Sequence, residues 1–94
     1  MRKLAWHSSF RQAFKRMTGR DRKLKEQIFR VLNQLVIDPF QPVLKTHKLS
    51  GQLHGLWACW VEYDCRIVFT FDVDSKTKEE LIVLIDLGTH DEVY

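Results

Sequence analysis

The 94-residue chain is 45% hydrophobic, 12% aromatic and 29% charged, as single folded domains typically are. It lacks an apolar run of the roughly 18 residues needed to span a bilayer, and its first ten residues lack the apolar block of a secretory signal. These features exclude fibrous, low-complexity and membrane-spanning proteins. We expect one domain over residues 1–94, located in the cytoplasm with both cysteines reduced.

Charge is distributed unevenly along the chain. Residues 1–51 carry twelve Lys/Arg and three Asp/Glu, a balance of +9, whereas residues 52–94 carry three Lys/Arg and nine Asp/Glu, a balance of −6. A basic half of this density favours a polyanionic partner such as nucleic acid. A solvated basic surface would have the same composition, so charge alone leaves both interpretations open.

The first third of the chain predicts a strand followed by a helix. Residues from Lys3 to His7 alternate between apolar and polar, as in a strand. Ser9 and Gln12 match a capping box, in which each side chain caps the backbone N–H of the other. Apolar residues then follow helical spacing as far as Gly19, where we expect the helix to end.

A second helix is predicted from Asp21, which can cap it, to Asp38-Pro39, because proline disfavours helical geometry in the residue before it. A short turn joins the two helices, so we expect a helical hairpin. Its outer faces should carry a set of basic side chains: Arg11, Lys15, Arg22, Lys25 and Arg30.

The second half predicts strands. Trp57–Glu62, Cys65–Phe71 and Leu81–Asp86 are rich in aromatic and β-branched residues, with a tight-turn candidate at Tyr63-Asp64. Residues 39–56 are predicted to be irregular. The element order is therefore β-α-α-β-β-β, an α+β fold in which a helical hairpin packs on a small, mainly antiparallel four-stranded sheet.

Alternation within Cys65–Phe71 separates two faces of the sheet. The first residue and every second one after it should pack on the helices, while Arg66 should emerge on the open face, since a mid-strand arginine is seldom buried without a partner. With a two-residue turn at Tyr63-Asp64, Cys59 would face Val68 across the hairpin. A disulfide between the two cysteines is then geometrically unfavourable.

None of the four histidines has the spacing of a metal site, so we predict no metal; they are His7, His47, His54 and His90. His7 and His54 are interpreted as surface and loop residues. His47 and His90 flank the predicted strands from which Arg66 projects. Histidine can donate or accept a proton near neutral pH, and arginine can stabilise the negative charge of a phosphate. An aromatic residue such as Tyr94 can stack on a base.

Three segments and one strand resemble the RelE/YafQ-like toxins of bacterial toxin–antitoxin pairs: Lys45–Gly51, Tyr63–Ile67, Gly88–Tyr94 and the Trp57 strand. The likeness covers nearly the whole chain. It implies a small ribonuclease without metal or cofactor, which cleaves mRNA, usually during translation on the ribosome. It also implies inhibition by a tightly bound antitoxin protein.

When the family's functional residues are carried over to the matching positions, the resemblance implies five catalytic candidates: His47, Asp64, Arg66, His90 and Tyr94. On this hypothesis the ribose 2′-hydroxyl attacks the adjacent phosphorus. His90 would protonate the leaving 5′-oxygen, His47 would take or orient the 2′-hydroxyl proton, and Arg66 would stabilise the phosphorane charge. Asp64 would orient a histidine or a nucleotide, and Tyr94 would stack a base or position phosphate.

Two positions depart from the YafQ branch of the family. Trp60 stands where that branch has a histidine, and Asp86 where it has an arginine. The negative charge of the phosphate would then be stabilised by Arg66 and by nearby lysines such as Lys45 and Lys48. The basic helices would hold ribosomal RNA through salt-sensitive contacts from Arg11, Lys15, Arg22 and Lys25.

Two other functions stay open at this point. ParE toxins resemble the family in fold and size but inhibit DNA gyrase without cutting RNA. A catalytically inert RNA-binding module would also fit the charge. The combination of His47, His90 and Tyr94 favours the nuclease, with mRNA, the ribosome and an antitoxin as partners and no membrane partner.

Overall fold

The computed structural model describes residues 2–51 and 55–89. Its elements are strand β1 (Lys3–Trp6), helices α1 (Ser8–Thr18) and α2 (Arg22–Ile37), a 3-10 turn (Pro42–Leu44) and strands β2 (His47–Lys48), β3 (Trp57–Glu62), β4 (Cys65–Val73) and β5 (Glu80–Gly88). The strands form one sheet in the order β1-β5-β4-β3-β2, with β1 parallel to β5 and the other pairs antiparallel. Neither described helix is long and apolar enough to cross a membrane.

The predicted α+β class, with two helices packed on a mainly antiparallel sheet, is confirmed. The sheet has five strands rather than four, because the two-residue strand β2 pairs with β3 inside a segment predicted to be irregular. Strands β4 and β5 also run longer than predicted, to Val73 and from Glu80 respectively. Six polar residues, 74–79, connect the two strands.

The start of α1 corrects the predicted capping box at Ser9 and Gln12. His7 is the N-cap, and its Nδ1 accepts a hydrogen bond from the backbone N–H of Ser9 at 3.2 Å. The Ser9 hydroxyl instead donates to the carbonyl of Ile85 on β5, and the His7 backbone N–H donates to the carbonyl of Leu84 at 3.0 Å. These contacts with a distant strand fix where α1 begins.

Helix α2 begins and ends as predicted. The Asp21 carboxylate accepts a hydrogen bond from the backbone N–H of Leu24 at 3.0 Å, which satisfies one of the donors that a helix start leaves unpaired. The helix ends at Ile37, directly before Asp38-Pro39.

We expect Asp21→Ala to lower the free energy of unfolding by about 1 kcal/mol, because it removes this cap. Asp21→Asn keeps the accepting oxygen and should cost much less. Urea unfolding followed by circular dichroism measures both variants. Equal losses in the two would show that the cap hydrogen bond is not the source of the stability.

The main core lies between the sheet and the two helices. Its largest fully buried side chains include Phe10, Ile28, Leu35, Phe69 and Leu84. Among the described residues, the opposite side of the sheet, here called the open face, carries a small second cluster whose buried members are Leu49, Ala58 and Val68. The alternation predicted for β4 is therefore confirmed, with alternate positions packed in the main core and Val68 on the open face.

A β-bulge just after Trp60 changes the register that a two-residue turn predicts. Trp60 pairs with Arg66, and Cys59 pairs with Ile67. The predicted pairing of Cys59 with Val68 is therefore wrong by one position. A bulge inserts one unpaired residue into a strand, and nothing in the local sequence specifies where it falls.

The two cysteines form no disulfide, and both are buried. Burial, with a smaller contribution from Cys65, raises the pKa of the Cys59 thiol to about 12. Cys59 is therefore a neutral thiol at physiological pH and behaves as a small apolar core residue.

Candidate active site

Two rows of positions cross the open face of the sheet. The inner row follows the strand register from His47 on β2 through Ala58 and Val68 to Asp86 on β5. Ala58 and Val68 are buried in the small apolar cluster, whereas His47 is exposed and Asp86 is half-buried. This row therefore has an apolar middle and a titratable group at each end.

The outer row lies nearer the β3–β4 turn. Trp60 pairs with Arg66, and Arg66 pairs with Gly88 on β5. On the β2 side, the ammonium Nζ of Lys45 lies 5.2 Å from the centroid of the Trp60 ring. In the sheet, Lys45 and Arg66 therefore lie on the two sides of Trp60, and the Lys45 ammonium contacts the ring. The β-bulge produces this arrangement, because without it Arg66 would pair with Val61 instead.

Arg66 lies on the open face, as the alternation of β4 predicts, and its guanidinium turns back to the β3–β4 turn. One nitrogen, Nη1, donates to the carbonyls of Glu62 at 2.8 Å, Tyr63 at 3.2 Å and Cys65 at 3.2 Å. Within residues 2–51 and 55–89, neither Nε nor Nη2 has a partner and no carboxylate pairs with Arg66. The turn thus holds the planar group at one edge and leaves the other nitrogens able to bind an oxyanion.

His47 is held by the backbone two residues before it. Its Nδ1 lies 2.9 Å from the carbonyl oxygen of Lys45. A carbonyl can only accept, so Nδ1 carries the proton, and in the neutral ring Nε2 is the nitrogen that can take one. This tautomer fits the role of a general base.

The backbone that orients His47 is itself unusual. Lys45 has φ 51°, the left-handed conformation, which costs a residue other than glycine about 1–2 kcal/mol. It ends the 3-10 turn, and its N–H donates to the carbonyl of Pro42 at 3.1 Å. This geometry directs the Lys45 carbonyl to His47 and the Lys45 side chain to Trp60.

The two acidic candidates differ in setting. Asp64 is exposed in the β3–β4 turn, at the same end of the sheet as Arg66. Asp86 lies directly across from Val68, and its Oδ1 accepts from the backbone N–H of Leu87 at 2.8 Å. Asp86 therefore places a carboxyl group on the open face at the position where the YafQ branch has an arginine. It cannot supply the positive charge of that arginine.

The predicted RNA-binding cations divide between the two sides of the molecule. Lys45 lies beside Trp60, but Lys48 pairs with Trp57 and its ammonium lies 5.4 Å from that ring, on the face that packs against the helices. The helix cations are exposed on the helical layer: Arg11, Lys15, Arg22 and Lys25. The sheet lies between these four side chains and Arg66 on the open face.

Two of the five catalytic candidates, His90 and Tyr94, lie outside the described residues, as does His54. Of the other three, His47 and Arg66 share the open face, and Asp64 lies at the adjoining turn. In the part of the chain that the structure describes, no three His, Cys, Asp or Glu side chains are grouped closely enough to hold a metal ion.

The resemblance marks Trp60 only as a departure from the YafQ branch and does not give its position on the open face. The pattern from Ala58 to Val61 could have placed it, since Cys59 and Val61 are core residues and Trp60 alternates with them. Its pairing with Arg66 could not have been found this way, because that pairing depends on the bulge.

The sequence of the chain is similar to those of known bacterial toxins. Over residues 2–94 the chain matches the family described as YafQ, a bacterial toxin of type II toxin–antitoxin systems. The toxin YoeB of Mycobacterium bovis is 32% identical over 57 residues, which cover 61% of this chain and 67% of that protein.

Solved structures share the fold over nearly the full length. The YoeB/ParE toxin from Agrobacterium tumefaciens superposes with a TM-score of 0.77 at 22% identity, covering 94% of this chain and 98% of that one. A chain in the E. coli DinJ–YafQ toxin–antitoxin complex superposes with a TM-score of 0.72 at 19% identity, covering 99% and 97%. At these identities the likeness concerns the fold alone.

Proposed function

We propose that this chain, which belongs to the YafQ family of bacterial toxins of type II toxin–antitoxin systems, is an endoribonuclease that cleaves mRNA on the translating ribosome. The observation that carries the proposal is the open face of the sheet. There Arg66 offers guanidinium nitrogens without a protein partner in the described residues, and His47 has the tautomer of a base. A phosphodiester needs both a cation at its oxygens and a proton acceptor at the attacking hydroxyl.

The substrate supplies its own nucleophile in this mechanism. The 2′-oxygen forms a bond to the adjacent phosphorus while Nε2 of His47 takes its proton, and Arg66 stabilises the charge on the phosphorane oxygens. The bond from phosphorus to the 5′-oxygen then breaks as His90 gives that oxygen a proton. The products are a 2′,3′-cyclic phosphate and a free 5′-hydroxyl. Asp64 orients a histidine or a nucleotide, and Tyr94 stacks a base.

Mapping of mRNA 5′ ends after induction of the toxin in a bacterial host tests the proposal. We expect new 5′-hydroxyl ends within translated reading frames. Trapped gyrase–DNA complexes without RNA cleavage would instead indicate a ParE-like toxin. A growth effect that survives alanine at both His47 and His90, again without cleavage, would indicate an inert RNA-binding module.

Cleavage should not depend on a divalent metal at the chemical step, because histidines move both protons and an arginine meets the phosphate charge. With Mg²⁺ held constant to keep ribosomes intact, chelators selective for transition metals should leave the single-turnover rate unchanged. Loss of cleavage that a single transition metal restores would contradict this mechanism and make the histidines metal ligands.

The partner we propose is an antitoxin protein, as in the DinJ–YafQ complex. Blocking the open face or the basic helices is the direct way to neutralise a toxin that binds RNA there, either with a helix in a groove or with a strand at the sheet edge. The purified toxin–antitoxin complex should therefore not cleave mRNA on ribosomes. Cleavage by the complex at the full rate would contradict this mode of inhibition.

A further inference from the structure

Trp60 is a large aromatic side chain on the open face of the sheet, on the side opposite the main core. Its neighbours in sequence, Cys59 and Val61, are fully buried in the main core, while Trp60 is only half-buried. Among the described residues it packs in neither apolar cluster, and no other aromatic ring contacts it. Because tryptophan usually packs in an apolar core or against other rings, the position of Trp60 outside both clusters of the described residues favours a role in binding.

A basic residue lies on each side of Trp60 in the sheet. The Lys45 ammonium lies over the ring, 5.2 Å from its centroid, and Arg66 is the cross-strand neighbour on the other side. Arg66 keeps Nε and Nη2 without a partner among the described residues. An aromatic surface with a basic residue on each side in the sheet matches the chemistry of a single-stranded nucleotide, which pairs a flat base with a charged phosphate.

We infer that Trp60 is a stacking platform for one unpaired base of the RNA, with Lys45 and Arg66 binding the phosphates on either side of that nucleotide. This inference rests on the proposed ribonuclease function and adds a subsite to it. Trp60 binds and positions the substrate, whereas the proton transfers stay with the histidines. The subsite accepts any base, because every base has a π-face and the indole has no edge-reading partner beside it in the described residues.

Lys45 does not block this subsite. An exposed cation–π contact is weaker than the stacking of a base on an aromatic side chain. A base can therefore replace the ammonium over the ring, and the flexible lysine side chain can move to the adjacent phosphate. Before RNA binds, the same contact holds the indole in place and reduces the exposed apolar surface.

Affinity for ribosomes programmed with an uncleavable mRNA, carrying a 2′-O-methyl group at the cleaved position, tests the inference. Trp60→Leu should weaken binding by about tenfold to a hundredfold, the usual cost of losing one stacked base. Trp60→Phe should retain most of the affinity. In the wild type, a single abasic nucleotide at one position of the mRNA should weaken binding by a similar factor, and in Trp60→Leu the same abasic nucleotide should have no further effect.

The salt dependence of binding distinguishes the stacking contact of Trp60 from the phosphate contact of Lys45. Trp60→Leu should leave the slope of log Kd against log salt concentration unchanged, while Lys45→Gln should reduce it by about one, as loss of a phosphate contact does. Trp57→Leu is the matched control, since Trp57 lies on the same strand under another lysine but faces the helices. That variant should lose stability in thermal melts and keep the response to the abasic nucleotide.

The outcomes distinguish this inference from the proposed function. If the wild type cleaves mRNA but Trp60→Leu binds within twofold and responds to the abasic nucleotide like the wild type, Trp60 is not the platform and the nuclease assignment stands. If the wild type neither cleaves nor binds programmed ribosomes, the proposed function fails and the subsite fails with it.

Discussion

Single-turnover cleavage of mRNA on programmed ribosomes is expected to slow by about 10²–10⁴-fold in His90→Ala, the range that a positioned proton donor contributes. The 5′-oxygen is a poor leaving group until it is protonated, so loss of the acid affects the step that breaks the bond. In this chain His90 follows β5 by two residues, and β5 ends at Gly88, the cross-strand partner of Arg66. Growth arrest should disappear with the cleavage.

Folding and antitoxin binding are the controls for His90→Ala. We expect both to be unchanged, so that the loss of rate reports the chemical step. A variant that cleaves within about threefold of the wild type would show that His90 is not the general acid, because that factor is too small for the loss of one.

His47→Ala gives the matched comparison. It should cost less than His90→Ala, because a water molecule or Asp64 can accept the 2′-hydroxyl proton in place of Nε2. His47→Gln is the second variant, as it can keep a hydrogen bond to the Lys45 carbonyl but cannot act as a base. If His47→Gln is as slow as His47→Ala, the role of His47 is chemical. If it retains the wild-type rate, His47 only positions the loop.

The parts of the fold that the sequence predicts are those governed by local chemistry. Apolar spacing specifies both helices, Asp21 and Asp38-Pro39 bound the second one, and alternation in β4 specifies which side chains enter the core. The parts that it does not predict depend on distant partners. His7 caps α1 because Ser9 is engaged by β5, and β2 exists because β3 lies beside it.

The candidate site also combines features that the local sequence determines with features that depend on distant partners. Arg66 could be placed on the open face from the alternation of its own strand. The neighbours of Arg66 could not, because the bulge after Trp60 decides which residue of β3 lies opposite. The tautomer of His47 likewise depends on the left-handed conformation of Lys45, which no local sequence pattern specifies.

Arg66→Ala is expected to reduce the single-turnover rate by about 10²–10³-fold, as removal of one oxyanion-stabilising donor does in other enzymes. In the proposed mechanism the phosphorane gains negative charge on oxygens that Nε and Nη2 of Arg66 stabilise, and the described residues offer no second arginine on the open face to replace them. Arg66→Lys keeps the charge but loses the planar fork, so its rate should fall between those of Arg66→Ala and the wild type.

The structural role of Arg66 has to be separated from its chemical role. Its Nη1 donates to three backbone carbonyls of the β3–β4 turn, so the alanine variant also loosens that turn. Tyr63→Gly is the control, because Tyr63 is 89% exposed and does not have positive φ, so glycine there raises only the flexibility of the turn. We expect Tyr63→Gly to lower the free energy of unfolding and to cleave at nearly the wild-type rate. If it cleaves as slowly as Arg66→Ala, Arg66 acts by ordering the turn and not at the phosphate.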